Sequence, residues 1–174
     1  MKVQDVARQQ LGFWHGTCGA IMGDCGDLLN KQLPNATITS IGSIYAHMVF
    51  AEDGIVNGML QGKTPIFHSD GWQAKTGVSW PGDPGSPPTI NGGWAKSTKM
   101  DYPKFQEYAN AVFANTDSYL ANLSDADLEK KIPTPIGEQT IGWAVTTLLG
   151  THAPQHIGEI AALKGVQGLK GLPF

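Results

Sequence analysis

Little in this sequence is charged, and no part of it is basic enough to suit a polyanion. Only 16% of its 174 residues are Asp, Glu, Lys or Arg, with twelve Lys+Arg against fifteen Asp+Glu and a net charge of -3. There is no basic block or stripe, so nucleic acid is not an expected partner. Cysteine is scarce too: Cys18 and Cys25 alone cannot build a disulfide scaffold. On one predicted helix they sit about 10 Å apart along its axis, beyond the roughly 7 Å that a bridge tolerates. A reducing cytoplasm is the expected setting. The uncharged stretch of the first helical segment ends at Asp24, too short to cross a bilayer, so no membrane partner is expected. Met1 to Asp5 lacks the layout of a signal peptide. The chain also shows no internal repeat and no convincing strand pair.

What it does have is helical period. Apolar residues make up 41%, enough for the core of one domain over residues 1–174. From about Val3 to Lys31, Ala7, Leu11, Trp14, Cys18, Ile21, Cys25 and Leu28 repeat by four and three. Beside them runs a glycine stripe, Gly12, Gly16, Gly19, Gly23 and Gly26. Each helical glycine costs about 1 kcal/mol relative to alanine, so a close helix contact is expected there, either within the chain or between two copies. From about Ser40 to Gln61 the stripe is Ile41, Tyr45, Met48, Glu52, Ile55 and Met59, with a carboxylate in one core slot. Glu52 is expected to hydrogen-bond a neighbouring helix. A third segment, about Tyr102 to Leu123, carries Phe105, Ala109, Val112, Thr116, Tyr119 and Leu123, with Asp101 as its cap. The fourth, about Gln139 to Gln167, carries Ile141, Val145, Leu148, His152, Glu159, Leu163 and Val166, with a kink expected at Pro154.

Residues 62–100 join the second and third segments. They are rich in glycine and proline, including Pro81, Pro84, Gly85, Pro87 and Pro88, and hold Trp72, Trp80 and Trp94. An irregular connection of this length is uncommon and often functional. Its tryptophans predict an ordered cover that packs on the helices and shapes a pocket. The expected fold is all-α: a four-helix bundle, up-down-down-up, with this long irregular crossover between helices two and three.

The chemistry-bearing pattern is His152-x-x-x-His156. Two histidines at i and i+4 share a helix face and can hold one metal ion. No Glu follows His152, so the zinc-protease motif is absent, and no Glu-x-x-His pair marks a di-iron bundle. The pattern alone leaves two partnered histidines as an alternative. A third ligand has to come from elsewhere: His47 flanks the second stripe, His15 falls away from the first and is expected exposed, and His68 lies in the crossover. Cys18 and Cys25 read as small core hydrophobes.

Two stretches carry a family resemblance. Ser43-Ile44-Tyr45-Ala46-His47-Met48-Val49-Phe50-Ala51-Glu52 resembles the second helix of DinB/YfiT-like proteins. Thr151-His152-Ala153-Pro154-Gln155-His156-Ile157-Gly158-Glu159-Ile160-Ala161-Ala162-Leu163 resembles their last helix, whose pattern is His-x-x-x-His-x-Gly-Gln. The tail from Gly168 to Phe174 is also similar. Ile157 stands where that family often has a basic residue, and Glu159 where it has Gln. The resemblance implies that His47, His152 and His156 bind a divalent ion, zinc or nickel and sometimes iron. It implies a metal-dependent transferase, or a related hydrolase or isomerase, joining a low-molecular-weight thiol to a small electrophile, often as a homodimer. Glu159 is then the candidate catalytic residue: a base, a fourth ligand or an acceptor for an imidazole N–H. The crossover tryptophans are expected to touch the electrophile. The alternative is a non-catalytic small-molecule-binding or stress-related module with a structural or vestigial metal.

Overall fold

Four long helical stretches, packed on one another, account for about half of the chain. The computed structural model describes residues 2–34, 37–82, 88 and 92–174. Pro84, Gly85 and Pro87 of the crossover lie outside them.

Helix α1 spans Val3–Met22 and ends before Cys25, which follows it next to a short 3-10 turn, Gly26–Leu28. Both cysteines are buried and unbridged. Helix α2, Ile41–Asp53, starts where the Ser40 hydroxyl accepts the Ser43 amide at 3.2 Å, and it continues as π-helix through Gly54–Leu60. This is the central element, because every residue of α2 except His47 is buried. The crossover contains three short helices, α3 (Ile66–Ser69), α4 (Trp72–Thr76) and α5 (Gly92–Ser97). Helix α6, Tyr102–Ala121, has Asp101 as its cap, as expected. Ser124 caps a single turn, α7 (Asp125–Leu128). The last stretch comprises α8 (Ile141–Trp143), π-helix Ala144–Leu149 and α9 (Gly150–Val166). Helix α1 packs on α6 and α9, and α2 packs on the same two.

The structure departs from the sequence expectation in several places, the first being that α1 ends at Met22 and not near Lys31, so Cys25 lies outside the helix that holds Cys18. Lys131–Thr134 (β1) and Gly137–Thr140 (β2) form an antiparallel hairpin with Lys131 opposite Thr140. Its strands are too short and too polar to show the alternation that marks a strand. The apolar face of the last stretch also shifts. Glu159 and Val166 lie exposed, whereas Ala153, Ile157 and Ile160 are buried. The π-turns at 144–149 explain this, since i→i+5 bonding takes up an extra residue and rotates all that follows. Pro154 has no N–H for the Gly150 carbonyl, and Gln10 Nε2 of α1 reaches that carbonyl at 3.4 Å. Among the described residues a Cβ at Gly12, Gly16 or Gly19 would meet nothing within 4 Å, so of the two contacts expected of the glycine stripe the one within the chain is not seen at these positions.

The crossover is anchored by buried polar groups. Asp53, at the end of α2, accepts the Ile66 and Phe67 amides at 3.0 Å each, Tyr108 Oη at 2.8 Å and Asn57 Nδ2 at 2.8 Å. Burial raises its pKa, and these four donors oppose the shift. Asn30 clasps Met100 at the far end, with its Oδ1 2.8 Å from the amide and its Nδ2 3.0 Å from the carbonyl. Trp80 and Trp94 are buried in the aromatic core with Phe50, while Trp72 packs against Tyr108. The expectation of an ordered cover therefore holds for the described part of the segment.

Candidate metal centre and its cavity

His47 lies in the middle of α2, and its neighbours on every other face of that helix are buried. His152 and His156 stand one turn apart on α9, just past the π-turns, which are a frequent accompaniment of functional sites. The packing of α2 on α9 brings the three rings together. His152 Nε2 lies 3.1 Å from His47 Nε2 and 3.2 Å from His156 Nε2. The ligand atoms of all three fall within 4.8 Å of one another.

This arrangement fits a cation better than it fits hydrogen bonding. An imidazole nitrogen carries either one proton or one lone pair, so His152 Nε2 cannot fully satisfy two facing nitrogens. Three nitrogens on one tetrahedral zinc would stand about 3.3 Å apart, given bonds of about 2.0–2.1 Å. The protonation states agree. Burial, with repulsion from His156, pushes His47 down to about 4. Burial, with repulsion from His156 and then His47, pushes His152 down to about 3. Both rings are neutral at pH 7, the form in which imidazole binds metal.

Glu159 sits behind the triad. Its Oε2 is 2.6 Å from His156 Nδ1. A carboxylate can only accept, so Nδ1 carries the proton and Nε2 presents a lone pair to the other rings. Of the three roles open to Glu159 in the sequence, this contact matches the acceptor for an imidazole N–H. His47 Nδ1 is buried with no partner among the described residues.

The other histidines lie elsewhere. His15 was expected exposed, but it is largely buried, stacked on Phe113 with ring centroids 3.8 Å apart, and its Nε2 donates to Glu52 Oε2 at 3.0 Å. Glu52 thus meets a neighbouring helix, as expected. The signal for His15 was available in the sequence: a buried carboxylate needs a donor, and α1 offers a histidine. His68 packs between Phe67 and Trp80.

A cavity of about 680 Å³ opens beside the triad, with His47 and His152 in its wall. The crossover contributes Pro65 and Pro88, while the hairpin tip brings Pro133 to Ile136. Trp72, Trp80 and Trp94 are not among the described lining residues; the tryptophan that lines the cavity is Trp143. The crossover tryptophans are taken up by the core, which corrects the expectation that they meet a ligand. Sequence reasoning missed Trp143 because it lies off the stripe marked by Ile141 and Val145. Among the described residues no helix is long and apolar enough to cross a membrane.

Comparison with known proteins agrees with this architecture. The crystal structure of a conserved protein from Enterococcus faecalis superposes with a TM-score of 0.79, covering 94% of this chain and 96% of that one at 18% identity, which shows a shared fold. Comparison with the curated proteins gives no match. The DinB superfamily profile matches residues 26–160, which include all three triad histidines, and the chain belongs to the DinB superfamily.

Proposed function

We propose that this protein is a metal-dependent enzyme of the DinB type, in which His47, His152 and His156 hold one zinc or nickel ion and a low-molecular-weight thiol is transferred to a small electrophile. The four long helical stretches then form an up-down-down-up bundle, with the centre between α2 and α9. The observation that carries this reading is the convergence of three Nε2 atoms on one point in the wall of a cavity. A divalent ion bound there by imidazoles alone keeps its full charge and acts as a Lewis acid that lowers the pKa of a thiol.

The chain's own residues set the conditions. Glu159 holds the Nδ1 proton of His156 and so aims Nε2 at the centre. Burial keeps His47 and His152 deprotonated. The cavity walls beside the site are mostly apolar. The two free, buried cysteines suit a reducing, cytoplasmic setting.

The test is elemental analysis of untagged protein, followed by zinc titration of His47→Ala, His152→Ala and His156→Ala and a screen of several thiols with a chromogenic electrophile. One ion per chain, lost in each variant, is expected; a His47→Ala protein that binds zinc like the parent sinks the triad.

A second reading, a binding module with a structural metal, has its own observation. Among the described cavity residues there is no carboxylate, lysine or arginine to move a proton. Absence of turnover above the His152→Ala control with every thiol would select it.

A further inference from the structure

The shape and chemistry of the cavity restrict its occupant more narrowly than the triad does. One wall is α2 and its π-helical continuation, where His47, Ala51, Gly54, Ile55 and Gly58 follow one another along a single face. At about 1.5 Å per residue that face extends on the order of 15 Å away from the histidines. The opposite wall is Trp143 and Leu148, and the hairpin tip closes the side. The space is long, with the triad at one end.

Its polar inventory is small among the described residues. Apart from the two histidines and the indole N–H of Trp143, Thr134 is the only described lining residue with a polar side-chain group, and its Oγ1 already donates to the Gly137 carbonyl at 2.6 Å. Pro65, Pro88, Pro133 and Pro135 supply wall without backbone N–H groups. A charge carried by the body of a ligand meets no ionic partner among the described wall residues and is disfavoured there. The volume lies within the range of small-molecule sites.

We propose that this cavity takes an elongated, uncharged and mostly apolar molecule, with one donor or electrophilic end at the histidines and its body between Gly58, Trp143 and Ile136. The proposal rests on the metal-centre reading only for the polar end; the apolar body is argued from the walls alone. Gly58 lines the cavity, and a Cβ there would meet nothing within 4 Å among the described residues, so a larger side chain has room to extend from this wall. Ile136 is the lip: it lines the cavity, yet it is 69% exposed at the hairpin tip.

Two dyes of nearly equal shape test this: the neutral N-phenyl-1-naphthylamine and the anionic 8-anilinonaphthalene-1-sulfonate. Each is titrated by fluorescence into zinc-free and zinc-loaded protein. The neutral dye should bind one per chain, at least about tenfold tighter than the sulfonate. Gly58→Trp and Ile136→Glu should each weaken it about tenfold or more. Circular dichroism checks folding, and Ile136→Glu, at an exposed position, serves if Gly58→Trp fails to fold. Equal or tighter binding of the sulfonate overturns the proposal, as does neutral-dye binding unchanged in Ile136→Glu. Dye discrimination without zinc binding sinks the metal reading and leaves this one standing, whereas zinc binding without discrimination does the reverse.

Discussion

Glu159 lies on the back of the His156 ring: its carboxylate oxygen is 2.6 Å from Nδ1, while Nε2 of the same ring is 3.2 Å from His152 Nε2. The pair sets the tautomer of one candidate ligand from a half-exposed surface position. Removing such a carboxylate typically costs 10–100-fold in metal affinity. Glu159→Ala should therefore weaken zinc by about that much in a chelator competition, and Glu159→Gln, which keeps an acceptor, by less. Unchanged affinity in Glu159→Ala would remove the orienting role.

His15 and Glu52 form a second histidine–carboxylate pair, and its task differs. Glu52 is buried, its Oε1 has no partner among the described residues, and the hydrogen bond to its carboxyl group comes from His15. His15→Ala should cost about 3–5 kcal/mol in urea denaturation, because a lone carboxylate remains in the core. An apolar pair of similar volume at both positions should recover most of that loss. Zinc stoichiometry should stay at the parent value, since His15 is no part of the triad; a fall would put His15 among the ligands.

Much of this was visible in the sequence. Four-and-three spacing set out α1, α2 and α6, and Asp101 caps α6 as read. The His152–His156 pair needed only helical spacing. What stayed hidden has physical causes. A π-stretch follows no 3.6 period, so Glu159, which comes after it, was placed in the core stripe. A four-residue hairpin offers too few positions to alternate. The role of Asp53 depends on donors 13 to 55 residues away, which no local pattern reveals. The glycine stripe shows a limit of another kind: its spacing is clear, but spacing does not say whether the contact lies within the chain or between two copies, and at Gly12, Gly16 and Gly19 no described residue fills it. Sedimentation at micromolar concentration tests the expected homodimer, and a clean 18.6 kDa monomer would exclude it.

Asp53 should behave as the pin of the crossover. Asp53→Ala leaves two amides, a phenol and an amide side chain without their acceptor in a buried site. A cost of about 3 kcal/mol or more is expected. Hydrogen exchange should locate the damage first at the Ile66 and Phe67 amides. If exchange there matches the parent, the anchoring role is wrong, whatever the global stability.

Lys164 predicts a pH dependence. It is a lysine with 2% of its surface exposed; its Nζ donates to the Ile21 carbonyl at 2.6 Å, and it also bonds the Asp24 carboxylate. The ammonium thus closes the C-terminal end of α1, where positive charge is favoured. Its hydrogen bond to Asp24 holds that carboxyl below its ordinary 3.8. As pH falls, the unfolded chain takes up a proton at Asp24 first, near its free value of about 3.9. The stability Asp24 contributes is therefore fully present above that value and is lost as pH drops through the lower, folded one. Asp24 is more than half exposed, so its contribution is at most about 1 kcal/mol. In thermal melts, Asp24→Asn should unfold at most about 4 °C below the parent at pH 7. The gap should narrow below about pH 4 and close near pH 2. A gap that persists at pH 2 would place its cause in packing, and none at pH 7 would mean that the ion pair adds nothing to the hold Lys164 already has on Ile21.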